Sequence, residues 1–252
     1  MGMTLFTKNP NSSISDPDFF VPGWDTTGLE RMEIFKYGTV GGGNLAVGKP
    51  KSTPIADPQM VEGTPFAEMT ARGGLVPHVR LGMPDAAIQT WLLLFDPNNS
   101  GLNRLVMSSY AGTTEANPPG ISICVDTDGS MVLFVGFKNT SDGTYSTTVA
   151  RLALDLTKPS LIAVTLNGTT ATLKNLTTAL SATVTLLAGR ERAPGPEIYV
   201  GKGPATSYGV AGALNRIAAY AVFSRVLSDA ELATIRQYLL TSIQAKFPGI
   251  SF

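Results

Sequence analysis

Residues 120–138, GISICVDTDGSMVLFVGFK, read as two strands joined by a tight turn. Cys124 alternates with Ile123 and Val125, and an apolar run resumes at Met131 after the turn letters Asp126-Thr127-Asp128-Gly129. An Asp-Gly pair between two such runs is a strong short-range hairpin signal. The same texture extends in both directions. AIQTWLLLFD (87–96) is an apolar run that ends in the turn letters Asp96-Pro97-Asn98-Asn99-Ser100-Gly101, and RLVMSSYA (104–111) follows it. Downstream come YSTTVARLAL (145–154), SLIAVTLNGTTATLKNLT (160–177) with a second turn at Asn167-Gly168, SATVTLLA (181–188), EIYVGK (197–202) and LNRIAAYAVFSRVL (214–227). Strands spaced by turn residues, with no helices between them, predict an all-β fold: an antiparallel β-sandwich.

One helix closes the chain, expected over 228–246. Ser228 and Glu231 have capping-box spacing, Leu227 and Leu232 are placed as a hydrophobic staple, and Leu232, Ile235, Leu239 and Ile243 line one face. Pro248-Gly249 follow its end. This stripe is expected to pack on the sandwich.

The composition bounds the function. Of 252 residues, 43% are hydrophobic and 15% charged, with 19 basic side chains balancing 19 acidic ones. That suits a packed core and gives no electrostatic grip on nucleic acid or an anionic membrane. A single cysteine, Cys124, excludes an internal disulfide and points to a buried structural thiol. No apolar run reaches the length of a membrane span, and MGMTLFTKNP lacks the apolar region of a secretory leader. Synthesis in the cytosol is the expectation.

Residues 1–84 differ in character. Nine of the 17 prolines fall there, beside the Gly41–Gly43 run, and neither a helical nor a strand period persists. The segment is too apolar for a solvated linker and too broken for its own core. It is expected to be an extended arm lying on another surface, either its own sandwich (85–252) or a neighbouring subunit. Phe6, Phe19, Phe20 and Trp24 are its candidate assembly residues. Covering such a side chain returns about 1.5–3 kcal/mol, against roughly 1–2 kcal/mol per ordered backbone residue. The arm therefore balances only by adding strands to a sheet edge or packing between subunits, and residues 1–60 are expected to contact other copies or other structural subunits.

The stretch IYVGKGPATSYGVAGALNRIAAYAVFSRVLSDAELATIRQYL (198–239), with PSLIAVTLNGTTATL (159–173), resembles the laminin-G-like, concanavalin A-like lectin/glucanase superfamily. Gly201, Gly212, Ile217, Tyr220, Arg225, Leu227, Ser228 and Glu231 carry the likeness. Ser160 and Leu161 stand where that family usually has Trp or His. The resemblance implies a jelly-roll sandwich. It leaves activity open, since this architecture hosts lectins, hydrolases, adhesion modules and structural domains.

The chemistry narrows that choice. Family hydrolases carry two Glu and an Asp at alternate positions of one strand, so that acid and nucleophile flank one bond. Here no Glu has an Asp two residues later. Only His78 is available as a base, and a lone His beside Pro77 reads as a packed or surface side chain. No enzyme is expected. Asp96, Asn98, Ser100 and Gly101 match the opening of a calcium loop, but Met107 stands where the bidentate Glu belongs. A polar turn is the first reading there, and calcium near Asp96 and Asn98 the second.

GGGNLAVGKP (41–50) matches the start of a phosphate-binding loop, yet Pro50 replaces the Ser or Thr that holds Mg²⁺, and prolines at 50, 54 and 58 forbid the following helix. No nucleotide and no other cofactor is expected. Sugar rings stack on aromatic faces, which makes Tyr110, Tyr145 and Tyr208 the candidate ligand-binding residues at the sandwich rim.

Two functions follow as expectations. The first is a non-enzymatic structural subunit, since such sandwiches behind apolar arms look similar to bacteriophage decoration and fibre domains; the destination is then a virion or assembled particle. The alternative is a free carbohydrate-binding module for surface glycans, with a glycan hydrolase a distant third.

Overall fold

The computed structural model describes residues 24–35, 40–69, 76–97, 103–204 and 215–252. In chain order the strands are β1 (Leu29–Ile34), β2 (Thr53–Ile55), β3 (Gln59–Met60), β4 (Ala67–Glu68), β5 (His78–Arg80), β6 (Ile88–Asp96), β7 (Arg104–Ser108) and β8 (Ile121–Val125). They continue as β9 (Ser130–Asn139), β10 (Tyr145–Ala153), β11 (Ser160–Asn167), β12 (Thr170–Asn175), β13 (Leu180–Thr185), β14 (Arg190–Arg192), β15 (Tyr199–Val200) and β16 (Arg216–Phe223), before helix α1 (Asp229–Lys246).

Two antiparallel sheets form a sandwich. The inner sheet runs β13-β12-β11-β6-β16-β4-β3, with β1 also on β16; the outer sheet runs β10-β9-β8-β7-β15-β5-β2, with β14 on β9. The hairpin that opened the sequence analysis is β8–β9, with Val125 opposite Met131. Its turn is closed by the Gly129 N–H donating to the Asp126 carbonyl at 3.0 Å. Gly129 has φ +80°, a backbone state that costs glycine nothing. The second hairpin joins β11 to β12 at Asn167 and Thr170.

The apolar run of β6 is explained by burial on both faces. Trp91, Leu93 and Phe95 point into the core between the sheets. Leu92 and Leu94 point the other way, into a second core with Ala219, Ala221, Phe223, Leu232, Ile235, Leu239 and Ile243. The helix thus covers the inner sheet with the stripe read from sequence. Its capping box is complete: the Ser228 Oγ accepts from the Glu231 N–H, and the Glu231 carboxylate accepts from the Ser228 N–H at 2.7 Å. The Arg225 guanidinium at 2.6 Å, and then the cap itself, lower the Glu231 carboxyl to about 2.

The boundary expected at residue 84 does not separate an arm from a domain. β1 pairs with β16, β4 lies on the other half of the same β16 edge, and β5 pairs with both β15 and β2. Met32, Phe35, Phe66, Met69, Val79 and Leu81 from this segment are buried. These strands are short and pair with strands far away in sequence, so no local period marks them. Trp24 packs on Phe223 and on Tyr238 of the helix, with ring centroids 6.0 and 5.9 Å apart, which places it on the chain's own surface. Phe6, Phe19 and Phe20 lie outside the described residues.

Two outcomes follow. A chain starting at residue 85, which loses both strands bordering one edge of β16 and one bordering β15, should show no cooperative thermal transition by circular dichroism. Leu239→Ala should destabilise the full chain by about 2–5 kcal/mol in denaturant titration.

Candidate functional site

The glycine run does wrap an anion, but one supplied by the chain. Glu33, on β1, is buried and accepts from the Tyr220 hydroxyl at 2.7 Å, from the Ser52 hydroxyl at 3.2 Å and from the backbone N–H groups of Gly43 and Gly41. Successive glycine N–H groups form a concavity suited to an oxyanion. A Cβ at Gly43 would stand 3.1 Å from a Glu33 oxygen. Lys49, the would-be phosphate lysine, instead pairs with Glu30 at 2.8 Å. Burial raises the Glu33 carboxyl above the ordinary range, and the four donors act against it.

A second interior carboxylate is equally enclosed. Asp85 is buried with Arg192 at 3.5 Å, and it accepts from the Ser109 hydroxyl and from backbone N–H groups. Burial pushes its carboxyl up and the Arg192 charge opposes the rise. Neither carboxylate faces solvent, and the two are held by separate sets of donors, so they make no acid and nucleophile pair.

A cluster of a cation, a carboxylate and two rings lies at the β5–β15 part of the outer sheet. Val79 and Val200 face the core, so by alternation His78, Arg80 and Tyr199 face outward. The His78 and Tyr199 rings stack with centroids 5.2 Å apart, and the Arg80 guanidinium lies 5.5 Å from the Tyr199 centroid. Arg80 also grips the Glu197 carboxylate with Nε at 3.2 Å and Nη2 at 2.5 Å. This fork leaves its Nη1 with no hydrogen bond to another described residue. The Tyr199 phenol is pushed up by partial burial and by Glu197.

His78 is buried, and its Nδ1 lies 2.7 Å from the Val76 carbonyl, to which it donates in the neutral form. Burial, reinforced by Lys202 and Arg80, lowers its pKa. A depressed folded value means that its contribution to stability is present above about pH 6.5 and lost as pH falls through the folded value.

Of the three rim tyrosines, the described pair stand apart. Tyr110 follows β7, half-buried, its backbone N–H donating to the Ser108 Oγ at 3.0 Å. Tyr145 opens β10, with the Lys138 ammonium 5.6 Å from its ring. β8 and β9 separate the two, about 14 Å at ordinary strand spacing, and Tyr208 lies outside the described residues. Asp96 pairs with Arg216 at 3.6 Å, while Asn98 lies outside the described residues. Cys124 is buried, with its thiol pushed up by that burial. Sequence reasoning missed Arg80, Glu197 and Tyr199. The alternation in EIYVGK, which turns Tyr199 away from the core, was the available signal.

No family model matches the chain, and no curated protein matches it. Its fold is similar to that of part of the botulinum neurotoxin binding domains. The structure described by the dependence of type C neurotoxin entry on two ganglioside molecules superposes with a TM-score of 0.59 at 13% identity, over 84% of this chain and 51% of that one. The type DC binding domain in complex with SialylT gives 0.58 and 12%, over 84% and 52%. The serotype C1 binding domain gives 0.56 and 13%, over the same shares. At such identities the likeness is one of fold, and the chain spans about half the length of those domains.

His78→Asn keeps a donor for Val76 and removes the titration. Its melting temperature should fall less than that of the natural protein between pH 7 and pH 5. Glu33→Ala removes the shared acceptor of the Tyr220 and Ser52 hydroxyls and of the Gly41 and Gly43 N–H groups, and should cost about 1–3 kcal/mol in denaturant titration.

Proposed function

We propose that the chain is a non-enzymatic recognition module that binds glycan on the outer sheet at Tyr199. The carrying observation is the Arg80–Glu197 fork fixed beside the Tyr199 ring. Sugars are recognised by planar, bidentate polar groups next to an aromatic ring, and held geometry lowers the ordering cost of binding. The neurotoxin domains of like fold are described with ganglioside and SialylT, which supports the same ligand class here. The enclosure of Glu33 and Asp85 supports a site that binds without cleaving.

A glycan array with the natural chain, with Arg80→Ala and with a Tyr110, Tyr145 and Tyr208 triple alanine variant tests this reading. Arg80→Ala should weaken binding about 10- to 100-fold, while the triple variant keeps its signal. A blank array from the natural chain would sink the proposal. Loss in the triple variant alone would move the site to the rim tyrosines. The second reading, a structural subunit of a virion or another particle, draws its support from a different place, the open side of the sandwich.

A further inference from the structure

The sandwich has two sides where strands end the sheets, and they are built differently. On one, β3 is two residues long, β2 has three residues with Pro54, which has no N–H to donate, in the middle, and the outer edge of β1 is covered by Asn44 and Leu45, which bond the Glu30 carbonyl and both backbone groups of Met32. Short strands and proline are the ordinary means of keeping an edge from pairing with another chain. On the other side β10 has nine residues and β13 six, YSTTVARLA and LSATVT, with no proline and no lysine. The single charge, Arg151, is held by Asp126 at 2.7 Å. These two edges lie against each other: Ala150 and Leu152 of β10 enter the core, and Ala182 and Val184 of β13 pack against it. Val149 at 43% and Leu180 at 45% are among the few exposed large apolar side chains, and Leu187, just beyond β13, is 65% exposed.

We infer that this side is an interface with a second copy of the chain, formed by antiparallel pairing of β10 with β10 across a two-fold axis at Val149, the middle residue of the strand. A foreign peptide would extend one sheet. Two flush edges call for a partner that also presents two edges side by side, which a second copy does. Pairing of this kind sets Arg151 opposite Thr147, so no like charges meet, β13 carries no charge at all, and the net charge of zero adds no long-range repulsion. The side measures roughly 30 Å by 20 Å, so covering it on both partners removes about 1,200 Å², the lower end of stable interfaces.

Sedimentation of the full chain at tens of micromolar tests the inference. The natural chain should run at twice 26.5 kDa. Val149→Lys with Thr183→Lys should run at the single mass with an unchanged circular dichroism spectrum, while Val47→Lys, at the most exposed large apolar side chain among the described residues, 79% exposed, should stay dimeric. A single mass for the natural chain, a dimer of the double variant, or equal dissociation by Val47→Lys each overturns the inference. Should the double variant misfold, Val149→Cys decides. Two-fold pairing holds the introduced thiols within disulfide reach, and a mild oxidant should give a covalent dimer. No such dimer overturns the inference.

Discussion

Everything else in this chain depends on the inner sheet being buried on both faces. A sheet with one wet face can afford alternate polar residues, but β6 and β16 cannot. Trp91, Leu93 and Phe95 meet the outer sheet, while Leu92 and Leu94 meet the helix. The capping box that starts α1 is therefore more than local helix chemistry. It fixes where Leu232 begins the stripe, and so whether the second core closes. The ion pair from Arg225 ties that cap back to the end of β16.

The parts of the fold legible in the sequence were those whose information is local. The β8–β9 and β11–β12 hairpins carry their own turn letters, and the helix carries its cap, staple and stripe within twenty residues. The strands before residue 84 were not legible, because β1 and β5 have remote partners and the local pair β3–β4 is only two residues long on each strand. Leu29–Ile34 makes sense only beside Phe223–Ala219, and His78–Arg80 only beside Tyr199 and Ile55. Punctuation by proline and glycine looked like the absence of structure. It marks strands of two or three residues placed one by one.

The site was legible to a lesser degree, for a related reason. The sequence offers tyrosines on loops and strand ends, each standing alone. The structure also brings Arg80, Glu197, His78 and Tyr199 together from β5 and the approach to β15. In the same way Pro50 sets the glycine run apart from a nucleotide loop. Its anion could not be named from sequence, since Glu33 stands on a strand that gave no sign of returning beneath that loop.

The pairing of β1 with β16 has a consequence for how the chain is made. Gly28 and Ser224, at the mouth of that ladder, are 196 residues apart. During vectorial synthesis β1 emerges early and waits for β16, at ordinary elongation speeds roughly 10–40 s. Over that interval Leu29, Met32 and Ile34 have no sheet to enter. The local hairpins can form as they leave the ribosome, but the inner sheet seals only once β16 has emerged. A chain cut short before Arg216 therefore carries an unsealed core.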